Sequence, residues 1–225
     1  MSWEPIWEKI HSEKEWGKYP SEPLVRFVGR NFLKKPRNFN LRFLELGCGT
    51  GANLWFLARE QVEIYGVEGS KTAVEKARTR LNKEVPGWRG QIIQGDILNL
   101  PFDDNFFDAV IDVEAVTHNG FEASQRIYQE AERVLKKGAM LYTQTFATGT
   151  WGDQTGLQIE KNGWIPTEGP TGLGEFVRFT PYEDLAHLLQ CFEDFQVEKL
   201  SWTTNDQSNE FVEWIVTAKK CELDI

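Results

Sequence analysis

Three glycines at alternate positions end an apolar run and indicate a close approach between backbone and ligand. Gly47, Gly49 and Gly51 follow the run 41–46, and a helix-compatible segment begins at Ala52. Glycine at a strand–turn–helix junction permits positive φ and leaves no Cβ in the space where a ligand would lie. The pattern predicts a nucleotide-like ligand at this turn, and an ordinary glycine-rich turn is the alternative.

Two acidic residues stand where two later apolar segments end. Glu68 closes the segment 62–68, and Asp96 follows the segment 91–95. Their carboxylate oxygens can accept hydrogen bonds from hydroxyl and amino groups of a ligand. Solvated acids at strand tips are the other interpretation, but the repetition behind a glycine turn favours binding.

The segment 112–119 contains the best acid–base candidates. It follows a fourth apolar segment and includes His118 and Glu114. His118 ranks first because its unperturbed pKa lies near neutrality, and Glu114 ranks second. A histidine that only packs or hydrogen-bonds beneath a loop is an equally good interpretation. His11 and His187 lie in helical contexts and are weaker candidates.

Alternating strand and helix patterns supply the elements that position these residues. Five strands are expected before the alternation breaks, with helices between them, followed by two strands near 195–203 and 210–218. Regular alternation predicts parallel βαβ units, and a short polar turn between the last two strands requires antiparallel pairing. The predicted fold is a Rossmann-like α/β domain with a seven-stranded, mostly parallel sheet, helices on both faces and an antiparallel C-terminal hairpin.

Two regions outside the alternation are candidates for a cover over the ligand. Residues 1–37 form a tryptophan-rich helical cap, and residues 147–177 form a glycine-rich insertion that carries Trp151 and Trp164. Long loops within compact domains are usually functional or disordered. We expect one domain over 1–225, with residues 1–20 and 147–177 forming a lid; simple packing of the N-terminal part on the outside is the default alternative.

The combined motifs resemble those of class I S-adenosylmethionine-dependent methyltransferases. Glu45-Leu46-Gly47-Cys48-Gly49-Thr50-Gly51 looks like the first motif of that family, Glu68 like the acid that closes its second strand, and Gly95-Asp96-Ile97 like its next motif. The stretches 106–110 and 132–139 resemble its later signature. The resemblance covers roughly 41–146 and, more loosely, the terminal hairpin.

This resemblance implies S-adenosyl-L-methionine as the cofactor and methyl transfer as the reaction. Glu68 would accept both ribose hydroxyls, Asp96 the adenine amino group, and the start of the helix after Gly51 would favour the methionine carboxylate. The catalytic candidates are His118 and Glu114. The complete set of predicted cofactor-binding residues is Glu45, Gly47, Cys48, Gly49, Gly51, Asn53, Glu68, Gly69, Ser70, Asp96, Ile97, Val113, Trp16 and Tyr19.

Composition limits the partners. A formal net charge of −9 disfavours a nucleic-acid substrate, and 112–115 lacks the Asn/Asp-Pro-Pro-aromatic run of amino-methyltransferases that act on DNA bases. We expect a small or medium-sized metabolite with an oxygen or nitrogen nucleophile as the acceptor. Three cysteines without paired spacing, a charged N-terminus and no long apolar stretch predict a cytoplasmic protein without metal or membrane partner, and a homodimer is possible.

Two other functions remain open from the sequence. Gly47-x-Gly49-x-x-Ala52 also fits the dinucleotide fingerprint of a nicotinamide-dependent oxidoreductase. Against this, Tyr128 is followed four residues later by Glu132 rather than by the lysine of a short-chain oxidoreductase. A non-catalytic cofactor-binding domain would carry the same glycine turn and the same acids.

Overall fold

The computed structural model describes residues 3–15, 17–33, 40–171 and 174–222. Within these residues, one seven-stranded sheet has the order β3-β2-β1-β4-β5-β10-β9, and a separate three-stranded sheet has the order β6-β7-β8. The strands are β1 Arg42–Leu46, β2 Glu63–Glu68, β3 Gly90–Gln94, β4 Phe107–Val113, β5 Leu135–Phe146, β6 Leu157–Glu160, β7 Gly163–Ile165, β8 Val177–Arg178, β9 Asp194–Thr204 and β10 Asn209–Lys219. The helices are α1 Ile6–Glu13, α2 Glu22–Asn31, α3 Ala52–Arg59, α4 Lys71–Glu84, α5 Phe121–Val134 and α6 Leu185–Leu188.

The predicted fold class is confirmed. Strands β1 to β5 pair in parallel, and β10 pairs antiparallel with both β5 and β9. Apolar residues cover both sheet faces, so that Phe43 packs with the cluster under α2, α3 and α4 while Leu44 packs with the cluster under α5 and α6. Burial on both faces is the reason why these strands are nearly continuously apolar.

The strand order places a crevice beside the glycine turn. From β1 the chain runs outward to β2 and β3, then returns to the other side of β1 as β4 and β5. In open α/β sheets, ligands bind outside the carboxyl ends of the strands at such a reversal of order. The segments after β1, β2 and β4 all meet there.

One predicted helix end is wrong. The sequence Lys136-Lys137-Gly138 predicts a helix stop, but α5 ends at Val134 and Leu135 already has the extended conformation, with φ −69° and ψ 139°. Leu135 pairs with Phe107, and the next paired residues are Met140 and Ala109. Gly138, with φ +71°, therefore lies in an irregular segment of the strand, where four residues of β5 stand opposite one residue of β4.

The insertion has secondary structure of its own. Strands β6, β7 and β8 form an antiparallel sheet, and Val177 and Phe179 pack against Phe146 at the end of β5. Trp164 lies against the same cluster. The expectation of an ordered segment fits the described residues of the insertion, and its role as a cover stays a prediction.

The helix predicted after the insertion is short. A capping box at Thr180-Pro181-Tyr182-Glu183 should start a helix that reaches Phe192, but the structure has a 3₁₀ turn at Tyr182–Asp184 and only one α-helical turn in α6. The side-chain hydroxyl of Thr180 makes no hydrogen bond within the described residues. No helix in the described residues is long and apolar enough to cross a lipid bilayer.

Candidate cofactor and acceptor cleft

The three glycines of the turn are required for two different reasons. Gly47 has φ +60°, and a Cβ on it would lie 2.5 Å from the Cβ of Ala115. Gly51 has φ +81°, and its Cβ would lie 3.0 Å from the Cβ of Ala77 on α4. Gly49, with φ +48°, faces the cleft, where the nearest atom to a Cβ is a ring carbon of His11 at 3.7 Å. Packing explains two of the glycines, and open ligand space explains Gly49.

Glu68 connects the glycine turn to the next βα junction. One carboxylate oxygen, Oε2, accepts a hydrogen bond from the Gly49 N–H at 2.9 Å, and Oε1 accepts from the Ser70 N–H at 2.8 Å. The side chain is buried and lines the cleft. Burial raises its pKa, while the backbone N–H donors favour the charged form. Each oxygen keeps a further lone pair that a ligand hydroxyl can use.

Glu45 lies behind the turn. Its Oε1 accepts from the Asn53 side-chain amide at 2.6 Å, and the Asn53 Oδ1 accepts from the Ser21 N–H at 3.2 Å. Burial raises the pKa of Glu45 to about 8, with smaller contributions from Glu68 and Asp112. Glu45 is therefore mainly protonated at neutral pH, and it ties β1 to α3 and, through Asn53, to the residue before α2.

The N-terminal helix closes one side of the cleft. Trp3, Trp7 and His11 recur every four residues, and all three line the cleft. Glu8, on the neighbouring face of α1, accepts hydrogen bonds from the Ser70 hydroxyl at 2.6 Å and from Thr72 at the start of α4. A Cβ on Gly69 would lie 2.3 Å from the Trp3 ring. None of these three residues belongs to the predicted site, although they recur every four positions in the sequence.

His118 is held as a neutral ring. Its Nδ1 donates to the backbone carbonyl of Phe176 at 2.8 Å, and the Trp7 ring meets it edge-on at a centroid distance of 4.7 Å. A carbonyl only accepts, so the proton sits on Nδ1 and Nε2 carries the lone pair. Burial lowers the pKa of His118 to about 4. The ring is thus unprotonated at neutral pH, and it is a weak base.

Asp112 holds the turn that places His118. The Asp112 Oδ1 accepts from the N–H groups of Ala115 and Val116, both at 3.0 Å, and its Oδ2 accepts from the Thr143 hydroxyl at 2.6 Å. Burial raises its pKa to about 6. These bonds hold the start of the 3₁₀ turn Val116–His118, which presents His118 to the cleft.

Glu114 lies at the inner end of the cleft in a strained backbone conformation. Its φ is +59°, and its N–H donates to the Gln144 carbonyl at 2.9 Å. The Gln144 side-chain amide donates to Glu114 Oε1 at 3.3 Å and to Glu213 Oε1 at 2.9 Å. Burial, and then the charge of the adjacent Glu213, raise the pKa of Glu114 well above its usual range. Non-glycine residues with positive φ cluster at functional sites.

Comparisons with known proteins agree with this geometry. Residues 44–143 match the family model described as a methyltransferase domain. The chain is 30% identical over 108 residues to 24-methylenesterol C-methyltransferase 2 of Arabidopsis thaliana, covering 48% of this chain and 29% of that protein. It is 38% identical over 99 residues to 2-phytyl-1,4-naphtoquinone methyltransferase of Nostoc punctiforme, covering 43% of this chain and 42% of that protein. The chain thus spans less than half the length of these relatives.

A solved structure has the same fold over most of the chain. The crystal structure of a SAM-dependent methyltransferase from Methanosarcina mazei superposes with a TM-score of 0.68, at 21% identity, over 90% of this chain and 99% of that one. Residues 44–143 thus match a methyltransferase domain, and the chain has the fold of a SAM-dependent methyltransferase. The order of the motifs, the glycine turn and the position of the C-terminal hairpin are the features that carry this resemblance. The family model matches the central part of the chain.

Half of the predicted cofactor-binding and catalytic residues line the cleft. The cleft has an empty volume of about 760 Å³ including its open mouth, within the range of small-molecule sites. Of the predicted residues, it is lined by Gly47, Gly49, Glu68, Gly69, Ile97, Val113, Glu114 and His118. The residues that line it without having been predicted are Trp3, Trp7, His11, Gly95, Ala115 and Thr171.

Other predicted site residues lie near the cleft and support it without lining it. Ser70 caps α4 by accepting from the Ala73 N–H at 3.1 Å, and Asp96 accepts from the Leu98 N–H at 3.0 Å in its own turn. Cys48 is buried, and burial raises the pKa of its thiol. Gly51, Asn53 and Glu45 belong to the packing behind the turn, as described above.

One predicted aromatic residue lies away from the cleft. Tyr19 is 79% exposed and meets the Trp55 ring edge-on at 6.4 Å, on the outside of α3. Tyr19 is not among the residues that line the cleft, and its role in cofactor binding stays a prediction. Trp16 lies outside the described residues.

The lining of the cleft suits S-adenosylmethionine as a ligand. S-adenosylmethionine carries a sulfonium and an ammonium group, and the described lining residues include the acids Glu68 and Glu114 but no lysine or arginine. Gly49 leaves the floor of the cleft without a side chain, so that a ligand can lie directly against the backbone. The donor and acceptor set therefore suits a cationic nucleoside better than a diphosphate.

Proposed function

We propose that this protein transfers a methyl group from S-adenosylmethionine to an oxygen or nitrogen nucleophile of a small or medium-sized metabolite. The observation that carries the proposal is the bond between Glu68 Oε2 and the Gly49 N–H, which holds a buried carboxylate against a turn without side chains. In this geometry the carboxylate oxygens of Glu68 can accept hydrogen bonds from the hydroxyl groups of a sugar that lies against the backbone of the glycine turn. Topology supports it, because β10 enters the sheet antiparallel, unlike the sixth strand of a dinucleotide-binding fold.

The chain's own groups have separate roles in this proposal. Glu68 binds the ribose, the turn 47–51 receives the methionine part, and Asp96 and Ile97 lie at the adenine end, where only Ile97 lines the cleft. When bound, the cofactor supplies an electrophilic methyl group whose bonding electron pair remains on sulfur. Catalysis by the protein then consists mainly of orienting the nucleophile and excluding water.

The geometry favours Glu114 over His118 for proton transfer. Burial lowers the pKa of His118 to about 4, which makes its ring a weak base, whereas burial and the adjacent Glu213 raise the pKa of Glu114 and make its carboxylate the stronger base. His118 still offers the Nε2 lone pair as a hydrogen-bond acceptor for the nucleophile. We therefore assign His118 to orientation and Glu114 to proton acceptance.

We also propose that α1 and the insertion 147–177 cover the bound ligands. Trp7 comes from α1 and Trp3 from the segment before it, Thr171 comes from the insertion, and the Phe176 carbonyl fixes His118. The two relatives act, by their names, on a sterol and on a naphthoquinone. Because these two acceptors differ so much from each other, they do not define the acceptor of this protein. The proposal of an oxygen or nitrogen nucleophile therefore depends on the polar side chains at the inner end of the cleft.

A thermal-shift titration with S-adenosylhomocysteine tests the proposal. At 100 times its Kd, this product should add about 2.7 kcal/mol of stability, which is roughly 5–11 °C in Tm for a chain of this size. NAD serves as the matched nucleotide control and should give no shift. A shift with NAD and none with S-adenosylhomocysteine would replace the methyltransferase with an oxidoreductase.

Methyl transfer itself needs a second measurement. Incubation with methyl-labelled S-adenosylmethionine and a metabolite extract, followed by mass spectrometry, should reveal labelled products that a heat-treated sample lacks. Cofactor binding without any labelled product would favour the non-catalytic binding domain.

A further inference from the structure

The inner end of the cleft contains two carboxyl groups that contact each other. Glu114 lines the cleft, and Glu213 on β10 is fully buried beside it. Burial is the largest cause of the raised pKa of both groups. Two carboxyls in contact cannot both ionise at low cost, so when one of them carries the charge the other keeps its proton and donates it to its neighbour.

Gln144 fixes the two carboxyls in place. Its amide nitrogen donates to both Oε1 atoms, and its amide oxygen accepts from the Ser21 hydroxyl at 2.6 Å and from the Tyr142 hydroxyl at 3.2 Å. Four partners leave the amide no freedom to rotate. The acid pair is thus built into the sheet through β4, β5 and β10.

The charge of this pair has no partner in the described part of the chain. No lysine or arginine there forms an ion pair with Glu114 or Glu213, and the other ionisable groups nearby, Asp112 and Tyr142, are acidic. Glu213 Oε2 is buried and, apart from the contact with Glu114, receives no hydrogen bond within the described residues. A buried negative charge with an unused acceptor atom is costly unless a cation binds.

We infer that the acceptor is an amine, that Glu114 binds its ammonium group, and that the pair Glu114–Glu213, which Gln144 holds in place, takes up its proton. The inference rests on the proposed methyl transfer. The ammonium passes one N–H proton to the pair, which then holds two protons and no charge, and the nitrogen keeps the lone pair that it needs as a nucleophile. An alcohol would bring no charge to neutralise the pair, and a carboxylate would be repelled.

The first test compares an amine with its isosteric alcohol on the wild-type protein. With S-adenosylhomocysteine saturating, phenethylamine at millimolar concentration should raise Tm by a few degrees. 2-Phenylethanol, of almost the same shape and without the charge, should raise it by less than 1 °C under the same mass action. Equal shifts for the two compounds, or none for the amine, would overturn the inference.

The second test uses Glu213→Gln and a matched control on the same strand. Glu213→Gln should remove the amine shift and leave the affinity for S-adenosylhomocysteine within about twofold. Glu210→Gln, at an exposed position of β10, should behave as wild type. If Glu213→Gln instead weakens S-adenosylhomocysteine about tenfold and keeps the amine shift, the pair serves the cofactor and the inference fails.

Infrared difference spectroscopy gives a readout that does not depend on turnover. Binding of the amine should change the carboxyl C=O absorption of the wild-type protein, and Glu114→Gln should abolish that change even if Glu213→Gln fails to fold. An unchanged carboxyl band on binding overturns the proton transfer. Failure of S-adenosylhomocysteine to bind the wild-type protein would count against the proposed function itself.

Discussion

At the scale of residues, Glu68 is the group on which cofactor binding depends most directly. Its carboxylate accepts from Gly49 and Ser70 and retains lone pairs toward the cleft. Glu68→Gln keeps the size of the side chain but replaces one acceptor oxygen with a donor. We expect about tenfold or greater loss of S-adenosylhomocysteine affinity by calorimetry, because hydrogen bonds to charged groups contribute about 1.5–3 kcal/mol.

Glu75→Gln is the matched control for that experiment. Glu75 is exposed on α4, and its only recorded ion pair is a long one with Lys71 at 3.9 Å. Its substitution should leave the affinity unchanged. Equal affinity in the Glu68→Gln variant and the wild-type protein would remove Glu68 from the binding site.

Glu45 makes the stability of the fold depend on pH. Its folded-state pKa is raised to about 8, above the ordinary value of 4.5, so folding binds a proton between these pH values. The stabilisation is complete below about pH 4.5 and is lost as the pH rises through 8. Compared with Glu45→Gln, which mimics the protonated acid, the wild-type protein should lose unfolding free energy over this window.

Urea unfolding of both proteins at pH 5, 6, 7, 8 and 9 measures that difference. Other groups titrate in both proteins, so the difference between the two curves isolates Glu45. Parallel curves would show that Glu45 is ionised in the folded protein at neutral pH.

Residue types and spacing predict much of the cofactor side of this site and little of the acceptor side. Gly47, Gly49 and Glu68 could be assigned because each requirement is local: a positive φ, a missing Cβ, a carboxylate at a strand tip. Glu213 could not be assigned to the site, because it lies 99 residues beyond Glu114 and its position in an alternating strand does not distinguish it from other acidic residues. The pairing of β10 with β5 brings it into contact with Glu114.

At the scale of elements, the turn between β1 and α3 is the most constrained backbone near the cleft. Gly47→Ala would place its Cβ 2.5 Å from that of Ala115, at φ +60°. We expect a loss of about 2 kcal/mol or more of unfolding free energy, since the left-handed conformation alone costs about 1–2 kcal/mol for a residue with a Cβ. Cofactor affinity should fall as well.

Gly29→Ala provides the opposite result within the same chain. Gly29 lies in α2, and nothing lies within 4 Å of a Cβ added there. Alanine in a helix interior should therefore stabilise the protein by about 0.5–1 kcal/mol. Denaturant unfolding of both variants checks the pair, and equal effects would contradict the geometry of the turn.

The elements also show where periodicity misleads. The charged end of α5 resembles a helix stop, but Leu135 is already paired with Phe107, because tertiary pairing outweighs a local signal. In α1 the periodicity is informative, but the packing partner of the helix cannot be predicted from it. Trp7 and His11 lie on one face of α1, and Trp3 comes just before the helix. That this helix packs against α4 follows from the hydrogen bonds of Glu8, which the sequence does not reveal.

At the scale of the whole molecule, charge should favour the donor over its product. The chain carries a formal net charge of −9, and the cleft is lined by acids. S-adenosylmethionine has a positive sulfonium that S-adenosylhomocysteine lacks. Raising the ionic strength from 0.05 to 0.5 M should therefore weaken binding of the donor about two- to threefold more than binding of the product, because salt screens long-range attraction.

Calorimetric titration of both ligands at the two salt concentrations measures this effect. The product, which carries no net charge, serves as the internal control, because its other contacts are the same. Identical salt dependence for donor and product would mean that the acids act only by direct contact or are protonated.

The position of β10 also determines the order in which a newly made chain can mature. The strand inserts between β5 and β9, so β5 remains an unpaired sheet edge until the last strand of the sheet has left the ribosome. A nascent chain can already form the glycine turn and the Glu68 bonds while Glu114 still lacks its partner. Cofactor binding could thus precede proton exchange during synthesis, and the exposed β5 edge would be the segment most open to aggregation in that interval.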